Sequence, residues 1–323
     1  KLVKNVKKVI LILKGGCGLS DHVISTAFQL TKPRNFEATI LEHRLKDQDV
    51  VVEPYLASVC HADLRYYTGN RRPEALKEKL PMALFHEGLA IVKQSRHPKF
   101  NAGDRVVIVP SIPGYVLNHT SPEQCCEHCR KGGEPNYCLK GAFLGSGYDG
   151  IAQSRLVIGG ENLVLVPEGV DDRVAVLAEL SSVSVFAIQR VEKSLKKARK
   201  VAVFGDGPLG YLTTAILSHI YNVPKKNLLL FGADYQKIAE FNGMATTAHV
   251  QETDFNTMDH VDLIFECTGG RFSASAINQG IELIERDGTI VLMGVTEELV
   301  SVNTRDVLEK GERVLDRHVE HVS

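Results

Sequence analysis

Between Val23 and Val166 the apolar residues arrive in short runs, such as "DVVVEPYLAS", "LAIVKQS" and "DRVVIVP", separated by glycine, proline, asparagine and aspartate. Runs of this kind bounded by turn residues predict strands, so this half reads as mainly β. From about Asp171 the texture changes. The stretches "RVAVLAELSSVSVFAIQRV", "PLGYLTTAILSHIY" and "SASAINQGIELI" read as helices, and they alternate with the apolar segments "KVAVFG", "NLLLFG", "VDLIFECTG" and "GTIVLMGV". Buried strands alternating with helices predict a doubly wound parallel sheet. The expected fold class is α/β, with a mainly-β part followed by that sheet. "GTIVLMGV" is expected as an edge strand able to extend the sheet across a homodimer. The chain shows no internal repeat and no low-complexity segment.

A chain of 323 residues, 44% of them hydrophobic, favours two domains over one. With 38 basic and 39 acidic side chains the net charge is −1, so no global field recruits nucleic acid or an anionic membrane. The apolar run "VILIL" at 9–13 is far short of the roughly 20 residues that span a bilayer. It is also short for a signal-peptide core, and no A-x-A-like site follows, so the expectation is cytoplasmic. Seven cysteines stand at 17, 60, 125, 126, 129, 138 and 267. An odd, unevenly clustered set fits a reducing compartment, and four of them between 125 and 138 point to metal.

"KVAVFGDGPLGYLTTAIL" sets Gly205, Gly207 and Gly210, with Pro208 and Leu209 between them, directly after an apolar strand and directly before a helix pattern. Glycines there allow a tight turn and a close backbone approach to a pyrophosphate at the helix N-terminus. This predicts dinucleotide binding. An NAD site expects an acidic residue at the end of the next strand to accept hydrogen bonds from the ribose. Here the strand "NLLLFG" ends in Gly232, with Tyr235 and Lys237 beyond it, which favours NADPH; Asp234 is the contrary indication.

"SVCHADLRYYTG" places Cys60, His61 and Asp63 at the end of an apolar run. His86 and Glu87 precede the apolar "GLAIV", and Glu179 lies within an otherwise apolar helical stretch. Each alone has an ordinary reading: a cysteine as a small buried hydrophobe, a satisfied core histidine, half of an ion pair. A carboxylate on an apolar helix face is costly unless paired or metal-bound. Together they offer a thiolate, an imidazole and a carboxylate, a set suited to catalytic zinc with an open position.

"VCHAD", "FHEG", the cysteine cluster, "AELSSVSVFA" and "GDGPLG" follow one another in the order of a zinc-dependent medium-chain dehydrogenase/reductase. The chain resembles that superfamily, and within it the ribulose 5-phosphate reductases, also called ribitol 5-phosphate dehydrogenases. "CHADLRYYTGNR", "KLPMALFHEG", "SGYDG", "FECTGGRFSASAINQ" and "VNTRDVLEKG" carry this closer likeness. The resemblance implies a GroES-like catalytic domain at 23–178 and a Rossmann NADP-binding domain at 179–311. Residues 1–22 remain an unassigned extension, and 312–323 an unassigned, truncated return to the catalytic domain.

It further implies that Cys60, His86 and either Glu179 or Glu87 hold a catalytic zinc, with Asp63 behind the metal orienting its ligands. "CCEHCRKGGEPNYC" resembles the superfamily's structural-zinc lobe, with Cys125, Cys126, Cys129 and Cys138 as thiolate ligands. The lobe departs from the usual pattern in its adjacent cysteines and longer last gap, and His128 is an alternative ligand. Ala62 replaces the serine or threonine that commonly passes the proton outward; His61, Tyr66 or a water held by Glu87 are candidates to replace it. Arg65, Arg71 and Arg72 are expected to grip a phosphate, since a planar guanidinium donates two hydrogen bonds at once. The implied activity is NADPH-dependent reduction of ribulose 5-phosphate, supplying CDP-ribitol for teichoic acid or capsule synthesis. The implied partners are a sugar phosphate, a second copy of the chain, and a cytidylyltransferase of the same pathway. A zinc dehydrogenase of an unphosphorylated polyol and a catalytically silent nucleotide-binding homologue are the competing readings.

Overall fold

The computed structural model describes residues 21–297 and 299–316. Readings that fall on 1–20 and 317–323, including "VILIL" and Cys17, lie outside the described residues. The first half is built as expected from short antiparallel strands. β1 (His22–Lys32) and β2 (Asn35–Arg44) form a hairpin in which Val23, Ser25, Ala27 and Gln29 alternate inward. β3 (Asp49–Ala57) starts a second sheet, while β4 (Met82–Ala83) pairs with β1. β5 (Gly88–Ser95), β6 (Arg105–Ile108), β9 (Leu156–Gly159) and β10 (Leu163–Leu165) complete that second sheet in the order β10-β6-β5-β3-β9. The short pair β7 (Ser111–Ile112) and β8 (Ala142–Phe143) stands apart from it. A bridge between Ala27 and Gln153 ties the hairpin to the chain leading into β9. Val50, Val52, Ala90, Val92, Val106, Ile108, Leu156 and Ile158 form the enclosed core, each side chain contributing roughly 1–3 kcal/mol by leaving water.

The second half is a six-stranded, wholly parallel sheet. Its strands are β11 (Val201–Phe204), β12 (Leu228–Gly232), β13 (Thr246–His249), β14 (Val261–Glu266), β15 (Ile284–Leu292) and β16 (Arg313–Asp316). The order β13-β12-β11-β14-β15-β16 reverses direction between β11 and β14, the place where doubly wound sheets bind nucleotides. Hydrophobic clusters cover both faces, one including Val201, Val203 and Leu230, the other Ala202, Phe204 and Ile264. That is why these strands read as continuous apolar runs instead of alternating ones.

Three expectations need correction. "GTIVLMGV" lies mostly in β15, which has β14 on one side and β16 on the other, so it is an interior strand and cannot extend the sheet into a partner. Residues 313–316, left unassigned by the sequence and read as the start of a return to the catalytic domain, instead form the parallel strand that covers it. The single helical run around Glu179 is two helices, Asp172–Ala175 and Ala178–Arg190. The mainly-β half also holds two short helices, His61–Thr68 and Pro73–Lys79, whose few polar-rich turns give no long apolar periodicity to read.

Candidate active site

Cys60 follows β3 and is the N-cap of the helix His61–Thr68. The third residue of that helix, Asp63, is buried at 2% exposure and accepts two backbone hydrogen bonds, from Cys60 N at 2.9 Å and from Phe85 N at 3.0 Å. One carboxylate therefore fastens the segment carrying Cys60 to the segment carrying His86 and Glu87. His86 lies between two acids: Nδ1 is 4.0 Å from Asp63 Oδ1 and Nε2 is 3.8 Å from Glu87 Oε1. Phe143 packs edge-on against the imidazole, with ring centres 5.3 Å apart. Ser58, which the sequence reading did not single out, donates its hydroxyl to Glu87 Oε2.

Cys60, His86 and Glu87 each present one donor atom within 4.8 Å of the others. Burial, with the charges of Glu87, Asp63 and Glu179 adding to it, pushes the Cys60 thiol up to about 12. Burial also lowers His86 below the ordinary histidine value, against the pull of Glu87, so the imidazole stays neutral and free to donate its lone pair. Sulfur, nitrogen and oxygen donors packed this closely, with the carboxylates of Asp63 and Glu179 nearby, fit a zinc ion, whose charge reverses the electrostatic penalty on the thiolate. Asp63 beside Nδ1 leaves Nε2 facing the donor set, the usual arrangement for an oriented metal ligand. Of the two glutamates considered, Glu87 is the one in the set. Glu179, buried in the first turn of Ala178–Arg190, stands outside it but close enough for its charge to act on Cys60.

The second cluster gathers Cys125, Cys126, Cys129 and Cys138, their sulfurs again within 4.8 Å of one another. Cys126 Sγ lies 3.5 Å from Cys129 Sγ and 3.9 Å from Cys138 Sγ, and Cys125 Sγ 3.7 Å from Cys138 Sγ. Four thiols converging without a disulfide fit a tetrahedral zinc despite the unusual spacing. His128 is not part of the set; its Nε2 contacts the carbonyl of Glu134 at 3.0 Å.

The three glycines of the turn after β11 have three separate reasons. Gly205 adopts φ +121°, and a Cβ there would meet the Cys267 backbone at 3.0 Å. A Cβ on Gly210 would sit 1.9 Å from the Gly205 carbonyl, so helix and strand could not close together. At Gly207, by contrast, no protein atom lies within 4 Å of such a Cβ, leaving the space open above the N-terminus of Pro208–His219. These are the roles expected of a pyrophosphate-binding turn. At the tip of β12 a side chain on Gly232 would strike Asp206 Cβ at 2.8 Å, so no carboxylate fits there. Asp206 itself was not foreseen; its Oδ2 accepts from Ala233 N at 2.7 Å and Asp234 N at 2.8 Å. Asp234 caps the helix Tyr235–Ala239, accepting from Gln236 N and Lys237 N. Both acids near the ribose position are thus engaged with backbone. Tyr235 is exposed and stacks on His249 at 4.3 Å.

Arg65, Arg71 and Arg72 all turn to one carboxylate, Glu297, in the loop after β15: Arg65 Nη1 at 3.5 Å, Arg72 Nε at 3.8 Å, and Arg71 in direct hydrogen bond. No local pattern announces this contact, which links residues 226 apart. His61 is exposed, and the Tyr66 hydroxyl is engaged with Ser146 Oγ at 3.1 Å.

A thiol, an imidazole and a carboxylate converging on a β domain, joined to a dinucleotide-binding parallel sheet, define a zinc-dependent nicotinamide dehydrogenase. Comparison with known proteins agrees. Residues 46–168 match the alcohol dehydrogenase GroES-like domain. The chain is 37% identical to ribulose-5-phosphate reductase 1 of Staphylococcus aureus (strain NCTC 8325 / PS 47) over 90% of its own length and 80% of that protein's. The crystal structure of S. aureus TarJ in complex with NADPH superposes with a TM-score of 0.74 at 33% identity, covering 93% of this chain and 82% of that one. L-idonate 5-dehydrogenase from Escherichia coli shares the fold at 20% identity, with a TM-score of 0.78 over 93% of this chain and 84% of its own. The chain belongs to the zinc-dependent medium-chain dehydrogenase/reductase family, within which it is similar to the ribulose-5-phosphate reductases. Among the described residues no helix is long and apolar enough to cross a membrane.

Proposed function

We propose that the protein reduces ribulose 5-phosphate to ribitol 5-phosphate with NADPH at a zinc site. The carrying observation is the convergence of Cys60, His86 and Glu87 in a chain similar to curated ribulose-5-phosphate reductases along 90% of its length. Zinc supplies Lewis-acid polarisation of the sugar carbonyl and NADPH supplies the hydride. Cys60, His86 and Glu87 hold the metal, Asp63 keeps the imidazole turned, and Glu179 adds negative charge behind the thiolate. Of the three substitutes for the hydroxyl missing at Ala62, the water held by Glu87 is the one favoured, since Glu87 is at the donor set with Ser58 on its other oxygen, whereas His61 is exposed and Tyr66 is held by Ser146.

The cofactor's pyrophosphate lies on Gly205, Gly207, Pro208, Leu209 and Gly210, and its adenosine ribose beside Gly232, Tyr235 and Lys237. Asp206 and Asp234 are turned to backbone N–H groups and no side chain is admissible at 232, so no carboxylate stands at the strand tip to accept from a ribose hydroxyl, and Lys237 offers a cation for a 2′-phosphate. Arg65, Arg71 and Arg72 form the cationic rim that draws in a phosphorylated substrate. Cys125, Cys126, Cys129 and Cys138 hold a second, structural zinc. The same reading assigns residues 23–178 to the catalytic domain and 179–311 to the coenzyme domain, with 313–316 completing the sheet. It makes the protein a cytoplasmic homodimer whose product is consumed by a cytidylyltransferase in CDP-ribitol and teichoic acid synthesis.

The test is loss of absorbance at 340 nm with zinc and ribulose 5-phosphate, using NADPH and NADH in parallel, repeated with Cys60→Ala. Oxidation of NADPH that vanishes in the variant supports the reading. Zinc-loaded, NADPH-binding protein that does not turn over ribulose 5-phosphate overturns it.

A further inference from the structure

A cavity of about 390 Å³ opens between the cysteine lobe, at Asn136 and Cys138, and a wall formed by Lys79, Phe143, Ser146 and Tyr148. Phe143 is shared: it lines this cavity and packs edge-on against the His86 imidazole. The space thus lies one aromatic ring away from the proposed metal. Lys79, the last residue of the helix Pro73–Lys79, places its Nζ 2.9 Å from Ser146 Oγ. Ser146 Oγ in turn lies 3.1 Å from the hydroxyl of Tyr66, a side chain only 1% exposed. An ammonium and two hydroxyls therefore form one connected cluster, with two of its members on the cavity wall.

Lys79 differs from the neighbouring cations in its charge balance. The guanidinium of Arg71 lies 4.4 Å above the Tyr66 ring, yet Arg71, Arg65 and Arg72 already share the carboxylate of Glu297. Among the described residues no carboxylate lies within ion-pair distance of Lys79; its hydrogen-bond partner is a neutral hydroxyl. A half-buried ammonium facing a cavity is satisfied best by an anion, and the Ser146 hydroxyl beside it, braced from behind by the Tyr66 hydroxyl, adds a donor that suits a phosphate oxygen.

We propose that Lys79, with the hydroxyl of Ser146 that Tyr66 braces, is the seat of the substrate's phosphate monoester, and that the three arginines form an outer rim held by Glu297. The inference rests on the reductase reading given above, and it names the side chain that separates a phosphorylated from an unphosphorylated sugar. The cavity has room for a phosphate and the carbons next to it, and Phe143 is the side chain through which it adjoins His86.

The test compares Lys79→Gln and Lys79→Arg with the unaltered enzyme on ribulose 5-phosphate and on ribulose, and measures binding of ribitol 5-phosphate by calorimetry with NADP present. A charge-assisted contact of this kind predicts that Lys79→Gln lowers the ratio of kcat/KM for ribulose 5-phosphate to that for ribulose by about tenfold to hundredfold, mostly through KM. It also weakens ribitol 5-phosphate binding to the same degree, while Lys79→Arg recovers most of both. A ratio and a binding constant within twofold of the unaltered enzyme would overturn the proposal and leave the reductase reading standing. Lys79-dependent binding of ribitol 5-phosphate by a protein that does not turn over ribulose 5-phosphate would do the reverse, supporting the phosphate seat and removing the reductase reading.

Discussion

Replacing Asp63 by alanine should cost both stability and metal, because beyond the last β3–β5 pairing this carboxylate fixes the turn carrying Cys60 to the segment carrying His86. Its two oxygens accept the N–H groups of Cys60 and Phe85, at 2.9 and 3.0 Å, in a site where Asp63 is almost wholly enclosed. Stranding a buried donor costs about 1–3 kcal/mol. Two such groups give about 2–6 kcal/mol, and loss of the carboxylate that caps the first turn lies within that figure. Against this stands the cost that the native protein already bears: burial raises the Asp63 pKa, so the ionised carboxylate is itself disfavoured there. The net expectation is therefore the lower half of the range, about 2–4 kcal/mol, a large share of the 5–15 kcal/mol typical of a folded domain. Asp63→Asn retains one acceptor oxygen and should lose about half as much. Urea denaturation of the zinc-loaded protein measures the stability change, and zinc competition with a chromophoric chelator measures affinity, for which a tenfold to hundredfold loss is expected. An Asp63→Ala protein within about 0.5 kcal/mol of the parent, with unchanged zinc affinity, would refute the view that this carboxylate organises the site.

Three further outcomes follow from the same geometry. Gly210→Ala places a methyl 1.9 Å from the Gly205 carbonyl, and NADPH affinity by fluorescence titration should fall by at least about tenfold, whereas Gly207→Ala, which meets no protein atom, should remain folded and lose affinity only through contact with the cofactor. Cys129→Ser should reduce zinc content, measured by atomic emission, from two ions per chain to one and lower the melting temperature, while leaving the Cys60 ion in place. Glu312, partly buried with neither carboxylate oxygen partnered among the described residues, is pushed up to about 7 by burial. Its unfolded form ionises first, near the ordinary glutamate value of 4.5, so stability should fall as pH rises from there to about 7 and stay lower above it. Glu312→Gln should flatten that part of the stability profile in denaturant titrations at pH 5 and pH 8.

What could be read in the sequence was whatever depends on neighbours along the chain. The turn Gly205–Gly210 was legible because all three of its constraints, the left-handed backbone, the open approach and the helix–strand contact, fall within six positions. The cysteine lobe was legible for the same reason, even with irregular spacing, since four sulfurs within a short loop have few other ways to be placed. The third ligand was not. Glu87 and Glu179 are equally plausible as residues, and the choice between them depends on where the helix Ala178–Arg190 begins relative to β5, a tertiary fact. The strand at 284–292 was recognisable as a strand, but its place inside the sheet depended on residues 313–316, which are too polar and too few to announce themselves.

The arginines show the same limit with a functional consequence. From "RYYTGNRR" alone they are three cations near a metal ligand, equally consistent with a solvated loop and a phosphate grip. The structure adds Glu297, brought from the coenzyme half of the chain, so that the three guanidiniums cross from one half of the molecule to the other. Three positive charges on one carboxylate leave the described cluster with positive charge in excess, and Nε of both Arg65 and Arg71 is buried without a partner among the described residues. A region that is half-buried and positive in excess attracts an anion more strongly than an exposed one, because screening by water and salt is weaker there. Glu297 thus ties the cationic loop to the second half of the chain while leaving the cluster positive, so Glu297→Gln should loosen the loop and raise its affinity for anions.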